Sequence, residues 1–280
     1  MSDVTKAACI QFCSGVSPEA NLDRLSGFVA MAVEQGAQWI VTPETSNFMP
    51  ANRDMLLATA RTENEDLCVA GFKELARRHK IWLQAGSFIL LNGAGRPVNR
   101  SLMFAPDGNL VARYDKIHLF DVTLADGESH RESANYAGGG TAVVVKLPFG
   151  SLGMSVCYDL RFAGLYRSLA ETGAQYLTVP SAFTKPTGAA HWEVLLRARA
   201  VETGCYVLAP AQSGLHENGR ETYGHSLIID PWGQILAELA DGEGVIIAAL
   251  DMARLEKTRR QIPVLEHGKN FITEIVNDPL

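Results

Sequence analysis

The sequence lacks the features that cross-link small secreted proteins. It holds five cysteines in 280 residues, an odd number, and no two of them form a CxxC pair. We therefore expect neither a disulfide framework nor a structural metal site. Reduced thiols suit a cytosolic compartment, so we predict a cytoplasmic protein.

Long apolar runs and an excess of positive charge are also missing. No apolar run approaches the roughly 18 residues that a membrane helix requires, and the N-terminus has neither the cationic start nor the apolar stretch of a signal peptide. The net charge of −6 argues against nucleic acid or an anionic membrane as a partner. A small anionic substrate stays compatible, because a few local cations can bind one.

What is present is typical of one globular domain. Hydrophobic residues make up 47% of the chain and charged residues 20%, which is enough apolar material for a buried core at this length. No linker, low-complexity tract or charge run divides the sequence. We therefore predict a single domain over residues 1–280.

Strand-like and helix-like segments alternate along the chain, which predicts an α/β fold. Apolar residues at helical spacing predict helices at 18–35, 66–79, 164–172, 191–203 and 252–260. Short apolar runs predict strands at 7–12, 39–42, 81–91, 101–105, 110–114, 141–147, 151–156, 176–179, 206–210, 226–229 and 245–250. A turn at 230–233 is expected to separate the last two strands.

Two distant segments resemble each other. Residues 36–44 and 173–181 each follow a predicted helix and form a short strand that ends in proline. One interpretation is a pseudo-symmetric domain of two packed sheets, each with helices on its outer face. The other is a coincidence of helix-stop and strand chemistry.

One cysteine stands where a nucleophile would be useful. Cys157 lies in GMSVCYDLRF, residues 153–162, where an apolar strand ends shortly before a helix. Such a turn lifts a side chain from the sheet and leaves backbone N–H groups nearby to receive an oxyanion. The alternative is a buried cysteine that acts as a small hydrophobe.

A carboxylate and an ammonium occur in comparable positions. Glu44 follows Pro43 at the end of an apolar strand, where burial would raise its pKa and suit a general base. Lys116, in RYDKIHLFD at 113–121, follows a hairpin strand and could favour a thiolate or an oxyanion. The alternatives are a capping or salt-bridged glutamate and a solvated surface lysine.

Together these three contexts resemble the carbon–nitrogen hydrolase, or nitrilase, superfamily over residues 7–271. The resemblance implies a triad of Glu44 as base, Lys116 as oxyanion stabiliser and Cys157 as nucleophile, with a thioester intermediate and no metal or organic cofactor. It also implies a supporting second glutamate, Glu132, although the Pro-Gly segment usual after it is replaced by residues 137–140, AGGG. The implied fold is a four-layer α-β-β-α sandwich, usually paired as a homodimer.

The second half of the chain resembles the Nit branch of that superfamily. The segments are PSAFT at 180–184, AHWEVLLRARAVE at 190–202 and a stretch from His216 through Arg220 to the 230–233 turn. The branch implies a linear amide of a 2-oxo dicarboxylic acid as substrate. Deaminated glutathione is the expected substrate, and 2-oxoglutaramate is the alternative.

Several residues near Cys157 are predicted to bind that substrate. The backbone N–H of Tyr158 would face the oxyanion, and Arg161 could hold a carboxylate in a bidentate contact. Arg161 could equally form a salt bridge to Asp159 or another acidic residue. Further pocket candidates are Phe183, Thr184 and His191, and His191 could instead cap the following helix.

Three rival functions remain open on the residues alone. A papain-like enzyme would pair Cys157 with His118, His191 or His225, although His118 and His225 are better placed to orient neighbouring groups. A non-catalytic interaction module could use the same scaffold. An enzyme acting on nitriles is the third alternative, and a carboxylate-binding Arg161 favours the amide instead.

Overall fold

A computed structural model describes residues 4–123 and 129–276 of the chain. The helices in these ranges are α1 Pro18–Glu34, α2 Arg53–Thr59, α3 Leu67–His79, α4 Ala163–Glu171, α5 Lys185–Thr203 and α6 Met252–Gln261. The strands are β1 Val4–Gln11, β2 Trp39–Val41, β3 Arg61–Thr62, β4 Trp82–Leu91, β5 Pro97–Phe104, β6 Leu110–Asp115, β7 Asp121–Thr123, β8 Ser129–Arg131, β9 Val143–Leu147, β10 Gly150–Met154, β11 Tyr176–Thr178, β12 Tyr206–Ala209, β13 Ser213–Leu215, β14 Glu221–Tyr223, β15 Ser226–Ile229, β16 Ile235–Leu239 and β17 Gly244–Asp251. Short 3₁₀ helices span Glu132–Ala134 and Cys157–Arg161.

Two large sheets form the centre of the described part of the chain. The first has the order β17-β1-β2-β4-β5-β6, with β3 beside β4, and the second has the order β16-β15-β12-β11-β10-β9. The central strands β1, β2 and β4 are parallel, as are β10, β11 and β12, and antiparallel strands flank both sets. The α/β sandwich is therefore confirmed.

The two sheets share one strand pattern. In each sheet, three parallel strands lie in the middle. Two antiparallel strands lie on one side of them, and one antiparallel strand lies on the other side. The resembling segments 36–44 and 173–181 supply the middle parallel strand of each sheet, β2 and β11. The pattern agrees with the pseudo-symmetric interpretation of that resemblance.

Strand β1 shows how the layers are packed. Its residues Ala7 and Cys9 join the apolar cluster shared with the second sheet, which also contains Trp39 and Tyr176. The alternate residue Ile10 joins a cluster on the other face, together with side chains from α1 and α3. Because successive side chains of a strand point to opposite faces, a continuous apolar run is expected for a strand covered on both sides.

The segments that follow β2 and β11 approach each other closely at one glycine of β4. A Cβ atom on Gly86, in β4, would lie 1.8 Å from the Thr42 carbonyl oxygen and 2.5 Å from Pro180 Cβ. Only glycine leaves room for that approach. Gly86 thus lets the segment before Glu44 lie against the segment that follows β11, which brings the two sheets together where the site forms.

Most predicted elements are confirmed within a few residues. One helix begins earlier than predicted, and several short elements were not predicted, among them the strands β3, β7, β8, β13 and β14. Helix α5 begins at Lys185, six residues before the predicted start, because Pro186 occupies its first turn and does not interrupt it. Strand β16 was not predicted and lies between the 230–233 turn and β17. The short helix α2 was also missed.

Residues 4–123 and 129–276 contain no helix with the length and apolar character needed to span a bilayer.

Candidate active site

The thiol of Cys157 lies at a strained turn directly after β10. Its φ of 51° is in the left-handed region, which is unusual for a residue with a side chain. The Cys157 N–H donates to the Pro180 carbonyl at 2.9 Å, so the turn is tied to the end of β11. The residue is buried, with only 8% of its surface exposed. The geometry is that of a nucleophile held above a sheet edge.

A buried carboxylate joins the cysteine turn to the lysine loop. Asp159 accepts hydrogen bonds from the Tyr114 hydroxyl at 2.6 Å, the His118 N–H at 3.0 Å and the Val156 N–H at 2.9 Å. His118 Nδ1 also lies 2.7 Å from Asp159 Oδ1, and its ring stacks on Phe162. The contacts of Tyr114 and His118 with this carboxylate fix the end of β6 and the loop after it against the cysteine turn.

Lys116 lies between two carboxylates. Its Nζ donates to Glu44 Oε1 at 2.9 Å and to Glu132 Oε2 and Oε1 at 2.9 and 3.0 Å. Lys116 and Glu44 are 2% and 4% exposed, so the ammonium is shielded from bulk water. The structure thus brings the four predicted catalytic residues, Cys157 included, into one cluster from four separate segments.

Two amide side chains hold the base in place. Asn99 Nδ2 donates to Glu44 Oε1 at 2.8 Å, and the Asn99 carbonyl accepts from the Lys116 N–H at 2.9 Å. Gln212 Nε2 donates to the Glu44 carbonyl at 2.8 Å. Neither amide was identified from the sequence. The sequence around Asn99 carried no clear signal, since an arginine and a serine follow it in β5. Only its burial shows that the amide must find a partner.

The pKa of the Glu44 carboxyl is lowered, and the prediction that it would rise is wrong. Burial alone would raise this pKa, but the charge of Lys116, the hydrogen bond to the Cys157 thiol and the more distant charge of Arg220 together outweigh it. Glu44 is therefore a carboxylate in the resting site. It can accept a proton when the thiol attacks.

The thiol and the ammonium rest in their protonated forms. Burial, followed by the negative charge of Glu44, raises the pKa of the Cys157 thiol, and the Lys116 charge offsets this only in part. Burial would lower the pKa of Lys116, but Glu132 and Glu44 hold it well above its ordinary value. The resting site thus contains a neutral thiol, a carboxylate base and a permanent cation.

A cavity of about 300 Å³ opens onto this cluster. Its walls include the four predicted catalytic residues and four of the five predicted substrate contacts, which are Tyr158, Arg161, Phe183 and Thr184. Other wall residues were not singled out as contacts from the sequence: Thr45, Asn99, Phe120, Ser129, His130, Arg131, Asn135, Tyr136, Ala182, Thr187 and Arg220.

His191 is the predicted contact that does not line this cavity. It lies on an exposed position inside α5, with Nδ1 3.3 Å from Arg161 Nη1. Because α5 begins at Lys185, His191 is also not a cap of that helix. Its contact with the cavity is therefore indirect, through the guanidinium of Arg161.

The guanidinium of Arg161 lies at the cavity wall and forms no ion pair with Asp159. Asp159 is occupied by the lysine loop, so the salt bridge to it does not form. Arg161 instead lies over the rings of Phe183 and Tyr158, at 5.5 and 5.9 Å from their centroids. Aromatic faces and His191 hold the cation at the cavity wall, where a carboxylate could reach it.

The described ranges contain no group of three or more His, Cys, Asp or Glu side chains arranged to hold a metal ion. The chemistry of this site is that of an amide-cleaving thiol: nucleophile, base and fixed cation within one cavity.

Fold and site define the class. Residues 6–260 match the family model described as carbon-nitrogen hydrolase, and the chain belongs to that family. A deaminated glutathione amidase from Synechocystis is 42% identical over 267 residues, covering 93% of this chain and 97% of that protein. One from Yersinia enterocolitica is 39% identical over 272 residues, covering 96% and 94%.

A solved structure supports the same class. Saccharomyces cerevisiae Nit3, described as a member of branch 10 of the nitrilase superfamily, superposes with a TM-score of 0.85 at 31% identity. The match covers 93% of this chain and 95% of the yeast protein. The nitrilase fold and the hydrolysis of non-peptide carbon–nitrogen bonds are therefore shared properties.

The resting protonation state predicts how Cys157 reacts with iodoacetamide. Since the thiolate is the reactive form and the thiol pKa is raised, the alkylation rate should rise about tenfold per pH unit from about pH 6 to pH 9 without a plateau. Peptide mass spectrometry resolves Cys157 from the other cysteines. A plateau below about pH 8 would contradict the raised pKa of the Cys157 thiol.

Proposed function

We propose that the protein hydrolyses deaminated glutathione to 2-oxoglutarate and cysteinylglycine through a thioester on Cys157. The observation that carries this proposal is the convergence of Cys157, Glu44, Lys116 and Glu132 on one cavity that also presents arginines. The substrate class rests on the curated relatives, which are full-length matches with that activity in their names.

In the first step, the sulfur of Cys157 attacks the amide carbonyl while the Glu44 carboxylate takes the thiol proton. Negative charge moves to the carbonyl oxygen. Lys116 and the backbone N–H of Tyr158 stabilise it there. Glu132 holds the ammonium from the opposite side, so the cation stays in place as the charges shift.

In the second step, the tetrahedral intermediate collapses. The carbon–nitrogen bond breaks, and the proton on Glu44 passes to the departing amine of cysteinylglycine. A thioester with the 2-oxoglutaryl group remains on Cys157. Glu44 then takes a proton from water, which attacks the thioester, and return of that proton to the sulfur releases the acid and restores the thiol.

One feature of the cavity favours an anionic amide of this kind. Arg161 is held at the wall by aromatic faces with no carboxylate partner among the described ion pairs. A 2-oxo acid supplies the carboxylate that such a guanidinium binds in a planar, two-point contact. A nitrile or an uncharged amide would leave the cation unused.

Comparing two substrates on the purified protein tests this proposal. We expect kcat/KM for deaminated glutathione to exceed that for 2-oxoglutaramate by about tenfold or more, since a bound leaving group adds contacts that ammonia cannot make. Release of 2-oxoglutarate measures both reactions. Glu44→Gln serves as the inactive control. Equal or greater turnover of 2-oxoglutaramate would overturn the substrate assignment, and turnover of neither would overturn the proposed function.

We also propose that the protein is a cytoplasmic homodimer that pairs through α5. The apolar side chains Val194 and Val201 on α5 and the neighbouring Trp232 are 63%, 53% and 53% exposed. Residues 262–276 form no helix or strand, and four of their apolar side chains are at least 84% exposed. Apolar surface of this extent is typical of a surface that another chain covers.

The dimer has a direct test in solution. Sedimentation of the wild-type protein should give twice the chain mass of 30.4 kDa. Val194→Glu places a charge in the proposed interface and should shift the protein toward the monomer. Glu193→Gln, a neighbouring exposed change, should not. A wild-type monomer, or a Val194→Glu variant that stays dimeric, would contradict the proposed surface.

A further inference from the structure

Arg220 is a second arginine in the wall of the catalytic cavity. It lies in the turn between β13 and β14, and one guanidinium nitrogen donates to the Ala182 carbonyl. Its Nε is buried and has no hydrogen-bond partner in the described part of the chain. A buried N–H donor without a partner is costly unless a ligand completes its bonding.

The position of Arg220 is close to the base. Its charge contributes to the lowered pKa of the Glu44 carboxyl, and Ala182, whose carbonyl it contacts, lines the same cavity as Glu44 and Cys157. The cation is therefore near both the base and the nucleophile. Arg161, by contrast, is held by the rings of Tyr158 and Phe183.

The chemistry of the reaction indicates on which side of the scissile amide bond each arginine should bind a carboxylate. The departing amine must lie within reach of Glu44, because that carboxyl supplies its proton. A carboxylate carried by the leaving group therefore lies on the Glu44 side of the scissile bond. Deaminated glutathione has one carboxylate on its 2-oxo acyl part and another at the glycine end of its leaving group, so it requires two separate cations.

We propose that Arg220 binds the carboxylate of the leaving group, while Arg161 binds the carboxylate of the acyl group. This inference rests on the proposed function and adds to it a specificity-determining residue. Arg220 would then distinguish a dipeptide amide from an amide that releases ammonia, since 2-oxoglutaramate offers no leaving-group carboxylate. The unused Nε donor would complete the two-point contact with that carboxylate.

Substrates that differ only at the distant carboxylate test this assignment. The probes are deaminated glutathione and the same amide with its glycine carboxylate converted to a carboxamide. Wild-type kcat/KM should favour the carboxylate by about tenfold to a hundredfold, the effect of one charged hydrogen-bonded contact. Arg220→Gln should reduce that preference to near one, and Arg220→Lys should give an intermediate ratio.

Two controls separate specificity from structural damage. Arg77→Gln, on an exposed helix position paired with Glu74, should keep the wild-type ratio. Arg161→Gln should weaken turnover of both probes and of 2-oxoglutaramate together, since all three carry the acyl carboxylate. A structural fault in Arg220→Gln would likewise lower kcat/KM for all substrates in parallel. It would leave the ratio between the carboxylate and carboxamide probes unchanged.

Each outcome decides the inference. A ratio in Arg220→Gln equal to that of the wild type would overturn it. If that variant does not fold, an unchanged ratio in Arg220→Lys would overturn it, and so would a wild-type enzyme with no preference for the carboxylate probe. Failure of the wild type to hydrolyse either probe would instead reject the proposed function, so the two failures are distinguishable.

Discussion

The buried ion cluster around Lys116 is the interaction on which the rest of the site depends. An ammonium that is 2% exposed is stable only with close partners, and Glu44 and Glu132 supply them at 2.9 Å. Removing one member of such a pair typically costs about 3–5 kcal/mol, because the remaining charge stays buried. The cluster therefore joins segments that are far apart in the chain, and it holds the charges that the reaction uses.

The fold places these segments together through two sheets with one strand pattern. Much of this could be predicted, because strands buried on both faces are short apolar runs and the helices have regular apolar spacing. Helix α5 began earlier than predicted because Pro186 is compatible with a first helical turn. Strand β16 was missed because its apolar run is only three residues long and is followed by the exposed Glu238.

The catalytic residues could be predicted from the family resemblance of their combined contexts, but their electrostatics could not. The pKa of Glu44 depends on Lys116 and Arg220, which lie 72 and 176 residues away in the sequence. The environment of Arg161 likewise depends on Phe183 and on the occupation of Asp159 by another loop. Sequence patterns indicate which strand ends carry functional groups, and only the assembled structure shows which charges face each other.

Acylation of Cys157 is the most direct test of the central claim, that these four side chains act together on an amide. The protein is mixed briefly with deaminated glutathione, quenched in acid and digested for mass spectrometry. We predict a 2-oxoglutaryl group on the peptide that contains Cys157, and none on the same peptide of a Cys157→Ala variant. Substrate turnover without acylation of Cys157, or acylation of a different cysteine, would contradict the account.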